Sequence, residues 1–366
     1  MANDVAADPD NGSASDAPPQ WINRQLKSLL QQRGHAWLLA GPSGLGQYRL
    51  GLEMVRAWLC DKSGGNAAPI SACGQCASCH AIDVRAHTDL LVLMPETLML
   101  ALGWPLSEEA QKKIDDKERK PSKEIRVEAL RDAVEFAQRT SGRGRGKAVL
   151  VYPAERMNAI SANTLLKTLE EPPGDLKFVL ASESVHQLLP TIRSRCLGHA
   201  MLWPGEQESL QWLTEQGLTQ AEAATLLRAS GGRPQDARDA FGDGMQPALW
   251  EGLPRAMQLG DVAAFKDWAA PQIVDALQKI CHDLMATKAG ATPRFFDASS
   301  LPMPSADKPV AGAGAAAKPR AHQYPRALDK WSQSLAATRR TVEHPFNAGL
   351  MLEALVAEAK TAINSR

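Results

Sequence analysis

Four short apolar runs alternate with longer amphipathic segments over the first half of the chain. The runs are AWLLA, which ends at Ala40, DLLVLMP at 89–95, KAVLVY at 147–152 and KFVLAS at 177–182. Each has the length of a buried strand, and helix-forming sequence separates one run from the next. Because strands joined by helices pair in parallel, this alternation predicts an α/β domain with a mostly parallel sheet.

A glycine-rich turn, GPSGLGQY at 41–48, follows the first of these runs. Its outer glycines fit the G-x-x-x-x-G spacing of a phosphate-binding loop, in which the next two residues are a lysine for the phosphates and a Ser or Thr for Mg²⁺. Here those two positions hold glutamine and tyrosine. The predicted cofactor-binding residues of this degenerate loop are Gly41, Gly44, Gly46, Gln47 and Tyr48. Taken alone, the segment is equally compatible with a simple glycine turn.

The strand KAVLVY should end in acidic residues that position Mg²⁺ and the attacking water in a working nucleotide hydrolase. It ends instead in Tyr152-Pro153, and neither residue binds a metal ion. Phosphoryl transfer depends on charge placed around the phosphates, so the loss of both parts predicts no ATP hydrolysis and weak or absent ATP binding. An active ATPase with an unusual loop is the alternative.

Four of the six cysteines follow the pattern C-x12-C-x2-C-x2-C. They are Cys60, Cys73, Cys76 and Cys79. A C-x2-C pair places two thiolates on one tight turn, and four thiolates complete a tetrahedral Zn²⁺ shell with no open position. The spacing therefore predicts a structural zinc site that ties a loop back to the end of the first nucleotide-fold helix. An iron–sulfur cluster fits the spacing less well, and His80 is a competing ligand.

The strand pattern stops near residue 204, and helical patterns follow. The predicted parts of the chain are, in order, a disordered N-terminus (1–18), an α/β domain (19–204) with a zinc module (about 60–80), a small helical domain (205–245) and a larger helical domain (246–366). A low-complexity insertion at 302–325 interrupts the last of these domains.

Acidic and basic residues balance, 41 against 41, so no chain-wide basic field indicates nucleic-acid binding. The loop GRGRGK at 142–147 is the local candidate for DNA contact, and a flexible turn before a strand is the simpler interpretation. The charged stretch at 107–124 is expected to be a solvated insertion or a pair of helices. No apolar run is long enough for a bilayer and the N-terminal segment lacks a signal-peptide core, so we expect a cytoplasmic protein without membrane association.

Two motifs in the α/β region are highly specific. NTLLKTLEEPP stands at 163–173, and LPTIRSRC stands at 189–196. With the cysteine pattern and the defective glycine loop, they resemble the clamp-loader branch of the AAA+ proteins, as found in bacterial DNA polymerase III. The resemblance rests on motifs up to about residue 245 and on a looser helical pattern beyond it, which includes ICHDLM at 280–285.

The resemblance implies a AAA+ α/β domain of P-loop type with the zinc module, followed by a helical lid and an all-α collar domain. It also implies that Arg195, in the Ser194-Arg195-Cys196 motif, is an arginine finger that reaches into the ATP site of a neighbouring subunit. A guanidinium in that place stabilises the charge on the transferring phosphoryl group and couples hydrolysis to assembly. Without the motif, a surface ion pair would be the simpler interpretation of Arg195.

The implied partners are tau/gamma ATPase subunits and a delta subunit, joined through their collar domains in a hetero-pentamer. This assembly opens a sliding clamp and places it on primer-template DNA, as part of a DNA-directed DNA polymerase holoenzyme. The chain itself would brace the ring, without ATPase activity and without opening the clamp. An active AAA+ ATPase and a zinc-dependent nucleic-acid-binding module are the alternative functions.

Two further positions depart from a working ATPase of this family. Ser182 stands where such folds keep a polar γ-phosphate sensor, and without a competent site in cis it is expected to be vestigial. In GRPQDA at 232–237, Gln235 holds the position of the second sensor arginine. Arg233, two residues earlier, is a candidate substitute.

Overall fold

The computed structural model describes residues 17–62, 71–266, 268–302, 326–342 and 347–365. These residues fall into two compact units. The first unit comprises the chain up to Gly217 together with Arg233–Asp236, and the second comprises Leu218–Gly232 and the chain from Ala237 onward. None of the helices in the described residues is long and apolar enough to cross a membrane.

Two predicted segments fall largely outside the described residues. They are the disordered N-terminus at 1–18, of which 17 and 18 are described, and the insertion at 302–325, of which 302 is described. The separation of an α/β domain, a lid and a collar at residues 204 and 245 remains a prediction.

A five-stranded sheet forms the centre of the first unit. Its strands are β1 (Ala36–Ala40), β2 (Leu90–Leu93), β3 (Lys147–Val151), β4 (Leu176–Ser182) and β5 (Leu197–Ala200). The strands lie in the order β2-β3-β4-β1-β5, and every neighbouring pair is parallel. The four apolar runs of the sequence supply β1 to β4, which confirms the predicted parallel α/β sheet. β3 is buried along its whole length, as expected for a strand that is covered on both faces.

The sequence does not predict β5. Its four residues, LGHA, are exposed or half-buried, and they pair with β1 at the edge of the sheet, from Trp37 opposite Leu197 to Ala40 opposite Ala200. An edge strand that is open to solvent lacks the apolar run that marks a central strand. Hydrophobic periodicity therefore gives no signal for it.

Nine α-helices belong wholly to the described part of the first unit. They are α1 (Gln20–Leu30), α2 (Gln47–Leu59), α3 (Ala77–Asp83), α4 (Glu96–Ala101), α5 (Glu108–Asp115), α6 (Val127–Gln138), α7 (Ala159–Glu170), α8 (Pro190–Arg193) and α9 (Glu206–Glu215). Side chains alternate across a strand, so Trp37 and Leu39 join the apolar cluster with α1 and α2, while Ala36 and Leu38 join the cluster with α6 and α7. The sheet is thus covered on both faces.

The charged stretch at 107–124 contains one helix, α5, with no buried side chain. The expected solvated insertion is confirmed, and the alternative of a helix pair is wrong. Glu96, a buried acid at the start of α4, forms hydrogen bonds with the end of this stretch. Glu96 accepts a hydrogen bond from Arg119 Nη2 at 2.6 Å and from the backbone N–H of Ser122 at 2.8 Å.

The second unit is helical. Its helices are α10 (Gln220–Ala229), α11 (Pro234–Gly242, whose first three residues belong to the first unit), α12 (Pro247–Leu259), α13 (Ala270–Lys288), α14 (Arg326–Thr341) and α15 (Ala348–Asn364). Helices α12 to α15 share one apolar core, in which Cys281 is buried, as expected from its apolar helix.

A fully buried carboxylate organises the turn that follows α13. Asp283, within ICHDLM, accepts hydrogen bonds from the backbone N–H groups of residues 294–296 at 2.7–2.9 Å. These bonds place Phe296 against Trp250, with ring centroids 4.7 Å apart and an interplanar angle of 3°. A buried charge is tolerated when several donors satisfy it. Asp283 therefore stabilises the core of the second unit by holding residues 294–296 in place.

Candidate functional site

The glycine loop, Tyr152 and Ser182 lie at the same edge of the sheet. The loop follows β1, Tyr152 follows β3, and Ser182 is the last residue of β4, paired in register with Ala40. The backbone N–H of Gly41 donates to the carbonyl oxygen of Ser182 at 3.2 Å. Because ligands of open parallel sheets bind at the carboxyl ends of the strands, this edge is where a nucleotide would be expected.

Gln47 stands in the place of the phosphate-binding lysine and closes the loop on itself. It is the first residue of α2 and is 2% exposed. Its Nε2 donates to the carbonyl oxygens of Gly41 and Pro42, both at 2.7 Å. The amide is thus satisfied by the loop's own backbone and supplies no positive charge to an anion.

Tyr48 and Tyr152 form an aromatic pair where a Mg²⁺ site would require a hydroxyl and an acid. Their rings stack with centroids 5.4 Å apart, and the Tyr48 hydroxyl accepts a hydrogen bond from Trp104 Nε1 at 2.7 Å. The Tyr152 hydroxyl donates to Glu183 Oε1 at 2.7 Å. Glu183 directly follows β4, so an acid does lie at this edge, but on a neighbouring strand and bonded to a phenol.

Three acidic side chains lie near this aromatic pair. Burial raises the pKa of Tyr152, and the carboxylates of Glu183, Glu155 and Asp236 raise it further. Burial also raises the pKa of Glu183. The hydrogen bond from Tyr152 acts in the opposite direction and lowers this pKa in part. The backbone N–H of Glu183 donates to Glu155 Oε1 at 3.1 Å. The acids at this edge are therefore engaged by protein groups, whereas a magnesium–triphosphate complex requires free carboxylates and cations.

The GRPQDA segment lies directly on the glycine loop. Ser43 Oγ donates to Asp236 Oδ2 at 3.0 Å, and the backbone N–H of Gln235 donates to the Gly44 carbonyl at 3.2 Å. Arg233 Nε donates to the same Asp236 oxygen at 2.5 Å. The cation proposed as a substitute sensor is therefore paired with an acid of its own segment.

The four predicted cysteines converge. Their Sγ atoms all lie within 4.8 Å of one another, and the Cys60–Cys76 and Cys73–Cys79 sulfur pairs are 3.8 and 4.0 Å apart. Tetrahedral zinc with Zn–S bonds of about 2.3 Å requires sulfur–sulfur distances of about 3.8 Å. A disulfide would need about 2.05 Å. The donor set therefore fits a metal ion, and His80 is exposed and outside this cluster.

Helix ends position these cysteines. Cys60 follows the last residue of α2, and Cys76 caps α3, where its Sγ accepts the backbone N–H of Cys79 at 3.4 Å. The backbone N–H of Cys73 donates to Cys60 Sγ, also at 3.4 Å. Burial raises the pKa of the Cys79 thiol to about 12, so a thiolate at neutral pH needs a compensating cation. A bound metal ion supplies that compensation by displacing the proton.

Arg195 joins the two specific motifs. Its guanidinium forms an ion pair with Glu170, the last residue of α7, and Nη1 donates to the carbonyl oxygen of Thr191 at 2.7 Å. The Arg195 side chain remains 31% exposed. An ion pair and surface access coexist here, so the geometry is compatible with both interpretations of Arg195.

The sequence did not reveal several partners of these residues. Glu183 had a usable signal, because it is an acid directly after a buried strand. The Glu170–Arg195 and Asp236–Ser43 contacts had none, since the paired residues lie 25 and 193 residues apart in the chain. The sequence also gave no sign of the contact between the basic loop and the cysteine cluster, in which Arg145 Nη2 donates to the Cys60 carbonyl at 3.1 Å.

A parallel sheet with a glycine loop after an inner strand is the arrangement of a P-loop-type α/β domain, here with a loop that lacks the phosphate cation. A family model described as DNA polymerase III, delta subunit, matches residues 19–201. The chain belongs to this family, within its delta prime branch.

The relatives include DNA polymerase III subunit delta' of Pseudomonas aeruginosa, 39% identical over 217 residues, which are 59% of this chain and 58% of that protein. The Escherichia coli subunit delta' is 30% identical over 281 residues, covering 71% of this chain and 76% of the relative. DNA polymerase III subunit tau of Salmonella typhimurium is 32% identical over 163 residues, 44% of this chain and 21% of tau. The match to the Pseudomonas protein thus spans little more than half of that protein.

Substitution of Gly44 tests whether Asp236 lies on the loop. Gly44 has φ +75°, and an added Cβ would lie 2.4 Å from Asp236 Oδ1. We expect Gly44→Ala to lower the free energy of unfolding by about 3 kcal/mol, from left-handed backbone strain and overpacking together. Urea unfolding followed by circular dichroism measures the loss.

Gly174→Ala is the matched control. Gly174 has φ +61° but open space around its Cβ position, so its loss should be about 1 kcal/mol from backbone strain alone. Equal losses in the two variants would contradict the placement of Asp236 on the loop.

Proposed function

We propose that the chain is a non-hydrolysing subunit of the DNA polymerase III clamp loader. It completes a ring with tau/gamma ATPase subunits and a delta subunit, and it offers Arg195 to the ATP site of a neighbour. Through that assembly it takes part in placing a sliding clamp on primer-template DNA. Membership in the delta prime family supports the place in the holoenzyme.

The observation that carries the non-hydrolysing role is the charge at the sheet edge. The glycine loop is closed by the neutral amide of Gln47, with the acid Asp236 bonded to Ser43 of the same loop. Glu183 is engaged by Tyr152 in place of a metal ion. Hydrolysis needs cations at the phosphates and a free carboxylate for Mg²⁺, so this arrangement opposes both requirements.

The first prediction from this proposed function concerns the isolated chain. Purified protein with Mg²⁺ and ATP, with and without DNA, should release no phosphate above the protein-free blank. The double substitution Gln47→Lys with Tyr48→Thr should not create activity, because the acids and Tyr152 remain at the site. Turnover by the wild-type chain that Gln47→Ala abolishes would establish the rival active ATPase.

The position of Arg195 supports its role in trans. It follows α8 on the surface of the first unit, with its guanidinium oriented by Glu170 and by the Thr191 carbonyl. A planar guanidinium held in this way is suited to bidentate binding of phosphate oxygens. An incoming γ-phosphate would exchange for Glu170 as the anion that faces the arginine.

The second prediction separates the finger from a surface ion pair. In the reconstituted complex, Arg195→Ala should leave assembly intact and slow ATP turnover at the site it serves by at least about tenfold, because a transition-state cation is lost. Phosphate release in the presence of clamp and primed DNA measures this, and size-exclusion chromatography checks assembly.

Glu170→Gln is the matched control, since it breaks the same ion pair but keeps the guanidinium. Turnover should stay near the wild-type value in this variant. If both substitutions slow turnover equally, or neither does in a complete complex, Arg195 serves the ion pair and the finger role is wrong.

We also propose that the four-cysteine centre holds a structural zinc ion. The sulfur spacing supports this, because Cys60, Cys73, Cys76 and Cys79 match the edges of a tetrahedral zinc–thiolate shell. By binding all four thiolates, the ion would cross-link the end of α2 to the turn before α3, and its positive charge would compensate theirs. With four sulfur ligands it would have no position for substrate.

The third prediction is that protein purified without added metal contains about one zinc ion per chain, measured by inductively coupled plasma mass spectrometry. Cys76→Ser should lower that content and the thermal midpoint, because one thiolate is lost. The buried but unclustered Cys281→Ser is the control and should retain the metal. Fully folded wild-type protein without metal would contradict the site.

A further inference from the structure

The loop at 141–146, SGRGRG, is held in place by the sheet. Asp89, a buried residue directly before β2, accepts hydrogen bonds from the backbone N–H groups of Gly142 at 2.7 Å and Arg143 at 2.9 Å, and from Ser141 Oγ at 2.9 Å. Ser141 Oγ in turn accepts the N–H of Gly144 at 2.9 Å. These hydrogen bonds fix the backbone of the basic loop. They therefore also fix the positions from which its arginine side chains extend.

Both arginines of the loop are directed to the cysteine centre. Arg145 Nη2 donates to the carbonyl oxygens of Cys60 at 3.1 Å and Asp61 at 2.5 Å. Arg143 Nη1 donates to Ser78 Oγ at 3.1 Å and lies 3.6 Å from Asp61 Oδ2. Arg145 thus contacts the segment of the first cysteine ligand, and Arg143 contacts the helical turn between the third and fourth ligands.

Asp61 connects these two segments. Its Oδ1 accepts from Ser78 Oγ at 2.6 Å, and its Oδ2 accepts from the backbone N–H of Ser78 at 3.1 Å. Ser78 is fully buried between Cys76 and Cys79. The two halves of the centre therefore meet in one network of acid, hydroxyl and guanidinium groups, which is anchored to the sheet through Asp89.

We infer that residues 141–146 form a clasp for the metal centre, in which Arg143 and Arg145 are positioning residues for the ion. Four thiolates around a divalent ion leave a net charge of about −2, and Asp61 adds a further negative charge beside them; two guanidinium groups nearby offset part of this total. Their hydrogen bonds also hold Cys60 and the Cys76–Cys79 turn at the spacing the ion needs. This inference rests on the proposed zinc site and gives the basic loop a role other than DNA contact.

The glycines of the loop fit this role. Gly144 and Gly146, on either side of Arg145, have φ of +70° and +79°. At Gly146 an added Cβ would lie 2.5 Å from the Asp175 carbonyl oxygen. The alternation of glycine and arginine thus allows a tight path along the sheet while the arginine side chains reach the cysteine centre.

The test is the rate of zinc release. Zinc-loaded full-length protein is mixed with excess 4-(2-pyridylazo)resorcinol, and the absorbance of the zinc–dye complex is followed. Arg143→Ala and Arg145→Ala should each accelerate release by about tenfold and the double variant by up to about 100-fold, as expected when outer contacts of a metal site are removed. Arg145→Lys, which keeps a charge but not the fork of donors, should fall between wild type and Arg145→Ala.

Arg139→Ala is the matched control. Arg139 precedes the loop, and its side chain is largely exposed beside Glu135 at 3.9 Å. Its release rate should equal that of wild type. Visible absorption of the cobalt-substituted protein provides a second readout, because altered bands in Arg145→Ala would report a changed ligand geometry even where the variant is less stable.

Release at the wild-type rate in both alanine variants, or equal acceleration in Arg139→Ala, would sink the clasp while leaving the zinc site intact. Wild-type protein that binds no metal would instead remove the zinc proposal and the clasp with it. If release is unchanged but the double variant weakens DNA binding by the assembled complex, the loop is a DNA contact and the inference is wrong.

Discussion

The carboxyl ends of parallel strands lie at one edge of a sheet, and this arrangement determines which residues surround the candidate nucleotide site. The glycine loop after β1, Tyr152 after β3 and Glu183 after β4 are neighbours because β4 lies between the other two strands. Tyr152 can therefore stack on Tyr48 and donate to Glu183 at the same time. Nucleotide-binding folds of this kind place phosphate-binding groups at this edge. In this chain the same edge carries an aromatic pair and carboxylates.

Gln47 and Tyr48, at the positions where an ATPase has its lysine and its Ser or Thr, make structural contacts. Gln47 satisfies two carbonyl oxygens of the loop, and Tyr48 is held by Trp104 and Tyr152. Each replacement is thus bonded inside the loop or the core. Restoring a single lysine would remove bonds from the loop and add a cation beside groups that already have partners, so the proposed lack of hydrolysis involves the whole edge. Asp236 also contacts the loop, because it accepts a hydrogen bond from Ser43, so an acid occupies a position next to the loop as well.

The cysteine centre depends on the same sheet at a different place. Asp89 holds the loop at 141–146, and that loop contacts the Cys60 segment through Arg145. The four-cysteine cluster is therefore attached to the sheet through long-range contacts as well as through the end of α2. Arg195 lies apart from both, where the ends of α7 and α8 bring Glu170 and Thr191 to its guanidinium.

The sequence by itself determined strands β1 to β4, the degenerate glycine loop and the cluster of four cysteines. Apolar runs, glycine spacing and C-x2-C turns are local patterns, and each acts within a few residues of chain. The tertiary structure decided the rest: the edge strand β5, the acid on the loop at Asp236, the partner of Arg195 and the partners of Arg145. Ser43 and Asp236 are 193 residues apart, and Arg145 and Cys60 are 85 apart. Such contacts depend on how segments distant in sequence pack together, and no local pattern along the chain encodes that packing directly.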